Sequence, residues 1–239
     1  MRIRLTIEYD GTPFRGWAAQ PGQPTVEAAL RAALDATFSS VDRLAVAGRT
    51  DTGVHALGNV VSVDVEGGPP PERAAAALNT RLPDEIAVVA ASEAAPGFHA
   101  RHSATARSYR YRIYTRATTS PFELRRSWWL PHSLDLDALN TAAAFLPGEH
   151  DFRAFTPTET QHEVFVRVVE RAEWIRRGDH LDFEITAGSY LRHMVRTLVG
   201  TMVDAIDLAP LLAGADRASA GQTAPPWGLY LVAVAYSRP

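Results

Sequence analysis

Between residues 3 and 9 the apolar side chains Ile3, Leu5, Ile7 and Tyr9 alternate with Arg4, Thr6 and Glu8, the period-two pattern of a strand buried on one face. The turn formers Asp10-Gly11-Thr12-Pro13 end it. Thr25 then stands as a cap ahead of Val26, Leu30, Ala33, Leu34 and Phe38, whose three- and four-residue steps predict an amphipathic helix. A short strand over 44–47, a polar loop, and a second alternation through Val61, Val63 and Val65 follow. Pro71 opens an Ala-rich helix to Leu78, and 86–91 reads as a closing strand, so the first half has the split β-α-β pattern.

The break Ala94-Ala95-Pro96-Gly97, followed by a basic stretch, separates an N-terminal half, 1–102, from a C-terminal half, 103–239. The second half repeats the theme coarsely. A strand over 109–114 leads to a helix capped by Asp137 and running to Leu146, then to a hairpin of 164–175 and 181–186 turning through Arg177-Gly178-Asp179. Leu191, Met194, Val195, Leu198, Val199 and Met202 form one helical stripe, and 229–236 reads as a last strand. The class is α+β.

Composition narrows the chemistry. The 239 residues are 46% hydrophobic and 21% charged, too apolar for a disordered chain. There is no Cys, which removes disulfides, thiolate nucleophiles and Cys-ligated zinc, and fits the cytosol. There is also no Lys, so all 24 basic residues are Arg. That excludes the P-loop lysine, the protein-kinase lysine and a Schiff base to pyridoxal phosphate. Codon bias accounts for Arg-only usage, although Arg also suits phosphate and base contacts. Net charge is -3, so a nucleic-acid site must be a local patch. The amino terminus alternates at once into a strand, and no apolar run approaches the ~18 residues of a membrane span. We expect a cytoplasmic protein without membrane association.

Gly48-Arg49-Thr50-Asp51-Thr52-Gly53-Val54-His55-Ala56 is the most unusual stretch, a polar loop with an Asp, an Arg and two hydroxyls bracketed by glycines. Turn chemistry alone favours an Asx turn with Gly53 at positive φ, so the stretch by itself decides nothing. Asp51-Thr52-Gly53 also reads as the aspartic-protease triplet. Such a protease needs two carboxylates sharing one proton, and a second triplet is absent, so a homodimer would have to supply it. Arg49 nearby would keep Asp51 ionised, which suits a nucleophile or a salt bridge better.

Within Ser108-Tyr109-Arg110-Tyr111-Arg112-Ile113-Tyr114, Tyr109, Tyr111 and Ile113 share one face of a strand, and Arg110, Arg112 and Tyr114 the other. Interleaved rings and guanidinium groups are what unpaired RNA needs, though a packed strand with solvated Arg has the same look. Phe98-His99-Ala100-Arg101-His102 and Arg107 add local positive charge. Arg192 and Arg196 flank the apolar stripe of the last long helix, as a carboxylate partner or a snorkelling surface Arg would. The eight histidines include no H-E-x-x-H and no metal-ligand spacing.

Taken together and in this order, residues 48–56, Tyr109-Arg110-Tyr111, His193-Met194-Val195-Arg196 with Gly200, and Ala224-Pro225-Pro226-Trp227-Gly228-Leu229-Tyr230-Leu231 resemble the TruA family of tRNA pseudouridine synthases. Flanking pieces resemble it too: Tyr9-Asp10-Gly11-Thr12-Pro13-Phe14-Arg15-Gly16-Trp17, Ala77-Leu78-Asn79 with Leu82-Pro83, and Phe98-His99-Ala100-Arg101. The resemblance implies two ferredoxin-like (RRM-like) halves sharing a central, mostly antiparallel sheet flanked by helices, and a homodimer acting on the anticodon stem-loop of tRNA at positions 38–40. It implies Asp51 as nucleophile, Arg49 as the group that helps displace the base, Tyr109 stacked on the uracil and Arg196 paired with Asp51. No metal or organic cofactor is implied. Arg101, Arg107 and Arg110 are the expected RNA-binding side chains. The chain departs from the family pattern at Thr52, Ala18, His102 and Tyr190. A non-catalytic RNA-binding module of the same fold and the dimeric aspartic protease are the other readings kept.

Overall fold

The computed structural model describes residues 1–160 and 162–237. Over them the chain runs β1 (Arg2–Tyr9), α1 (Val26–Asp35), β2 (Ser40–Val46), β3 (His55–Glu66), α2 (Pro71–Asn79), β4 (Ile86–Glu93), β5 (Ala104–Tyr114), β6 (Trp128–Trp129), α3 (Leu136–Ala143), β7 (Gly148–Asp151), β8 (Val166–Arg177), β9 (His180–Ala187), α4 (Met194–Val203), α5 (Leu208–Leu212) and β10 (Leu229–Tyr236). They gather into two compact units, Met1–Thr105 with Leu231–Pro239, and Ala106–Tyr230. Both are α+β with mostly antiparallel pairing.

In the first unit β1 lies between β4 and β3, and β2 pairs with β3, all antiparallel. β3 thus separates β1 from the strand that follows α1, which is the split β-α-β arrangement of a ferredoxin-like unit. Register puts Ile3 opposite Val63 and Leu5 opposite Val61, so the apolar sets of both strands share one fully buried face. Thr25 Oγ1 accepts the Ala28 N–H and caps α1, whose Val26, Leu30, Ala33 and Leu34 are buried. Fully burying a side chain such as Leu30 is worth ~1.5–3 kcal/mol, more than α1 gains from propensity alone. β10 also lies beside β3. It approaches so closely that a Cβ on Gly58 would stand 2.7 Å from the Val232 carbonyl oxygen. The last strand, assigned by the sequence pattern to the 103–239 half, therefore packs in the first unit.

The second unit is built on the order β5-β9-β8-β7, with the two-residue β6 parallel to β5. Tyr111, Ile113, Leu181, Phe183 and Ile185 are buried and share one face, because Tyr111 pairs with Phe183 and Ile113 with Leu181. Trp174 of β8 joins this core against Phe183 and donates its indole N–H to Met202 of α4. α3 differs from the expected cap. Asp135, not Asp137, accepts N–H bonds from Asp137 and Ala138, and the helix closes at Ala143 as the bonds shorten to Phe145→Ala142 and Leu146→Ala143. No helix among the described residues is long and apolar enough to cross a membrane.

Candidate active site

The β2–β3 connection, residues 47–54, carries Asp51. The Val54 N–H donates to the Asp51 carbonyl, closing a tight turn with Gly53 at φ 75°. A residue with a Cβ would be strained at Gly53, which explains that glycine. Asp51 is half-buried at the turn's start and Arg49 is exposed.

The Tyr9–Trp17 stretch encloses this loop. Gly11 sits so close to it that a Cβ there would lie 2.0 Å from the Val54 carbonyl oxygen, and one on Gly16 would lie 3.0 Å from the Thr50 oxygen. Trp17 donates its backbone N–H to the Thr50 carbonyl at 3.0 Å, and the Gly11 N–H reaches His55 Nδ1 at 3.0 Å. His55 is buried, and its Nδ1 also stands 3.1 Å from the Asp10 carboxylate. The two motifs are thus one substructure.

Beneath the loop lies a buried polar chain. The Asn59 side-chain oxygen accepts the Val60 N–H, which orients its amide nitrogen toward the Gly48 carbonyl at 2.8 Å and the Tyr9 hydroxyl at 3.3 Å. The Tyr9 oxygen accepts from Asn59 and shares a hydrogen bond with Thr50 Oγ1, 2.8 Å away. Burial pushes the Tyr9 hydroxyl up to about 12 against the opposing pull of Thr50 and Asn59, keeping it neutral near pH 7.

In the second unit Tyr109 and Arg196 are placed by separate devices. The Tyr109 ring meets the edge of Tyr190 at 4.9 Å and 77°. The Tyr190 hydroxyl lies 2.9 Å from the Arg107 carbonyl and 3.1 Å from that of Ile185, tying β5 to β9. Burial holds that hydroxyl well above the usual tyrosine value. Arg107 donates to the Gly188 carbonyl at 2.7 Å. Arg196 lies in the first turn of a helix whose cap residue, His193, is in the left-handed region at φ 62°, a conformation costing ~1–3 kcal/mol for a non-glycine.

Arg196 donates from Nε to the Ala224 carbonyl at 2.8 Å, and the Ala224 N–H returns to the Arg196 carbonyl at 3.1 Å. A Cβ on Gly200 would fall 1.9 Å from the Gln222 carbonyl oxygen, and the Tyr111 hydroxyl donates to the Pro225 carbonyl at 2.8 Å. The Arg-Gly helix motif, the Tyr109–Tyr111 strand and the 224–228 segment therefore meet. Burial raises the Tyr111 hydroxyl, and the Arg196 charge opposes that shift.

Arg110 is on the face of β5 away from Tyr109, where its guanidinium bonds Glu184 at 3.0 Å and faces Asp182 at 3.8 Å. Arg101 is exposed in the first unit, its N–H donating to His99 Nδ1. The His99 and His102 rings meet tilted at 43° with centroids 4.3 Å apart, and burial, then the charge of His102, holds His99 below the usual histidine value. Among the described residues no cluster of three His, Asp or Glu could hold a metal ion. Tyr190, Asn59 and Tyr9 were not singled out from the sequence as site residues. Asn59 carried a signal, an amide inside the apolar run of β3.

The family model described as tRNA pseudouridine synthase matches residues 5–103 and 142–237. A tRNA pseudouridine synthase A of Rhodopseudomonas palustris strain HaA2 is 46% identical over 246 aligned positions, covering 98% of this chain and 99% of that protein. The protein of that name from Bacillus subtilis strain 168 is 40% identical over 247 positions and 100% of both chains, and that of Geobacillus kaustophilus is 41% identical over 98% of this chain and 94% of its own. Identity at this level along essentially the whole length establishes that the chain belongs to the tRNA pseudouridine synthase family.

Proposed function

We propose that this protein isomerises uridine to pseudouridine in tRNA, at positions 38–40 of the anticodon stem-loop, with Asp51 as the nucleophile. The observation carrying this reading is the full-length identity to proteins named tRNA pseudouridine synthase A, together with the built turn that presents Asp51. The reaction breaks the C1′–N1 bond, turns the base and joins C1′ to C5; N1 gains a proton and C5 gives one up. Asp51 in its ionised form adds to C1′ or C6 and departs when the C1′–C5 bond has formed. Arg49 and Arg196 supply the countercharge that favours the carboxylate, Arg49 helps displace the base, and the Tyr109 ring gives the freed uracil a surface to turn against. Flipping the nucleotide from its stack costs on the order of a few kcal/mol, which stacking and Arg–phosphate contacts offset. Arg101, Arg107 and Arg110 are proposed as RNA contacts, Arg110 having to act from its carboxylate-paired face. The working form is proposed as a cytoplasmic homodimer without a metal or organic cofactor.

The test is tRNA carrying tritium at uridine C5, incubated with the pure protein and a chelator. Tritium appearing in water, with pseudouridine mapped to 38–40, is the expected result. Binding without release is the outcome of the RNA-binding-module reading and overturns catalysis.

A further inference from the structure

Resting on the reading of Asp51 as nucleophile, we infer that Tyr9 and Asn59 are positioning residues for the reaction, fixing the loop on both sides of Arg49 so that Asp51 is held ready to attack. The chain runs without a break from Asn59 Nδ2–H to Tyr9 Oη and on to Thr50 Oγ1, and the Val60 N–H fixes the amide at its head. One branch pins the Gly48 carbonyl, the residue before Arg49; the other pins the Thr50 side chain, the residue before Asp51. Tyr9, Thr50 and Asn59 are all buried, so they approach substrate only through the loop they hold. A polar network placed in a core costs desolvation at each member, and a hydrophobic trio would pack there without it. What the network adds is a single loop conformation. The Tyr9 ring is seated independently, tilted against Trp17 at 6.1 Å, so the hydroxyl can be removed without removing the packing.

The measurement is single-turnover and steady-state tritium release for Tyr9→Phe, Thr50→Val, Thr50→Ser and the double variant Tyr9→Phe/Thr50→Val, each with its melting temperature. Misplacing a reacting group by a fraction of an ångström to 1 Å costs about ten- to a hundredfold in rate. Tyr9→Phe and Thr50→Val are therefore expected to lower kcat by about tenfold or more with KM for tRNA within about twofold of the parent. Thr50→Ser, which keeps the oxygen, is expected to retain most of the activity. The double variant is expected to be no slower than the worse single one, because both remove the same bond. Parental kcat in Tyr9→Phe, or additive losses in the double variant, would overturn the inference, as would losses that track the melting temperature alone. Asp51→Asn run beside them separates the two failures: if it too keeps turnover, the nucleophile assignment is wrong, and if it alone is dead, the positioning network is.

Discussion

Replacing Gly200 by Ala sets two calculable effects against each other. Inside α4 alanine is the better helix former, which by itself would stabilise by ~1 kcal/mol. The new Cβ, however, would start 1.9 Å from the Gln222 carbonyl oxygen and 2.9 Å from its carbon, where ordinary contact begins at 3.4 Å. Backbone atoms cannot rotate aside, so the 222–224 segment or the helix must retreat by about 1.5 Å. Overpacking of this kind costs ~1–3 kcal/mol, and at so short a starting distance we take the upper part of that range, leaving a net loss of ~1–2 kcal/mol. For a chain of this size that is a fall in Tm of roughly 2–8 °C. The same retreat carries away the Ala224 carbonyl that receives Arg196 Nε at 2.8 Å. Turnover at 20 °C, well below melting, should therefore drop by tenfold or more. Thermal melts and tritium release on the same preparation measure both. A variant that melts at or above the parent temperature with unchanged turnover would refute the packing argument and its link to Arg196.

Tyr109→Phe should bind tRNA nearly as the parent does, whereas Tyr109→Ala should lose the stacking contribution of ~1–3 kcal/mol, read by filter binding. Tyr190→Phe keeps the edge contact with Tyr109 but gives up the hydroxyl bonds to the Arg107 and Ile185 carbonyls, so a melting temperature lowered by a few degrees with turnover reduced less than in Tyr190→Ala is expected. Asp64 is held below the usual carboxylate value chiefly by its hydrogen bond from Arg2, with the Arg2 and Arg43 charges adding to it. A depressed native value means the stabilisation is present above the unfolded pKa of ~3.9 and lost as pH falls through the native one. Asp64→Asn should melt below the parent at pH 7, with the gap closing below pH ~4; a gap constant down to pH 3 would contradict this.

Where one physical cause dominated, the pattern of residues was sufficient. Thr25 caps α1, Pro71 opens α2, and β1, β9 and β10 lie where alternation or apolar runs put them. β3 was legible only from Val61 onward, because Leu57, Gly58 and Asn59 break its alternation: Leu57 faces solvent, Gly58 makes room for β10, and Asn59 serves the loop. β7, Gly-Glu-His-Asp, has no strand signature and exists because β8 offers it an edge. The placement of β10 beside β3 is a long-range pairing that no local pattern encodes. At the site, the loop motif around Asp51 stood out by composition. Its union with the Tyr9–Trp17 stretch did not, since it depends on close approaches at Gly11 and Gly16 that arise only in the folded chain. Tyr190 was visible as a departure from the family pattern, yet its use, a hydroxyl tying β5 to β9 beside Tyr109, is a matter of register.

The central claim is that the Asp51 carboxylate performs the chemistry. Asp51→Asn preserves shape and most hydrogen-bonding capacity while removing the charge. Tritium release from C5-labelled tRNA, measured beside filter binding of the same tRNA, should show turnover lost with binding within a few-fold of the parent. Turnover near the parental rate in that variant, confirmed by mass spectrometry to contain Asn at position 51, would contradict the account.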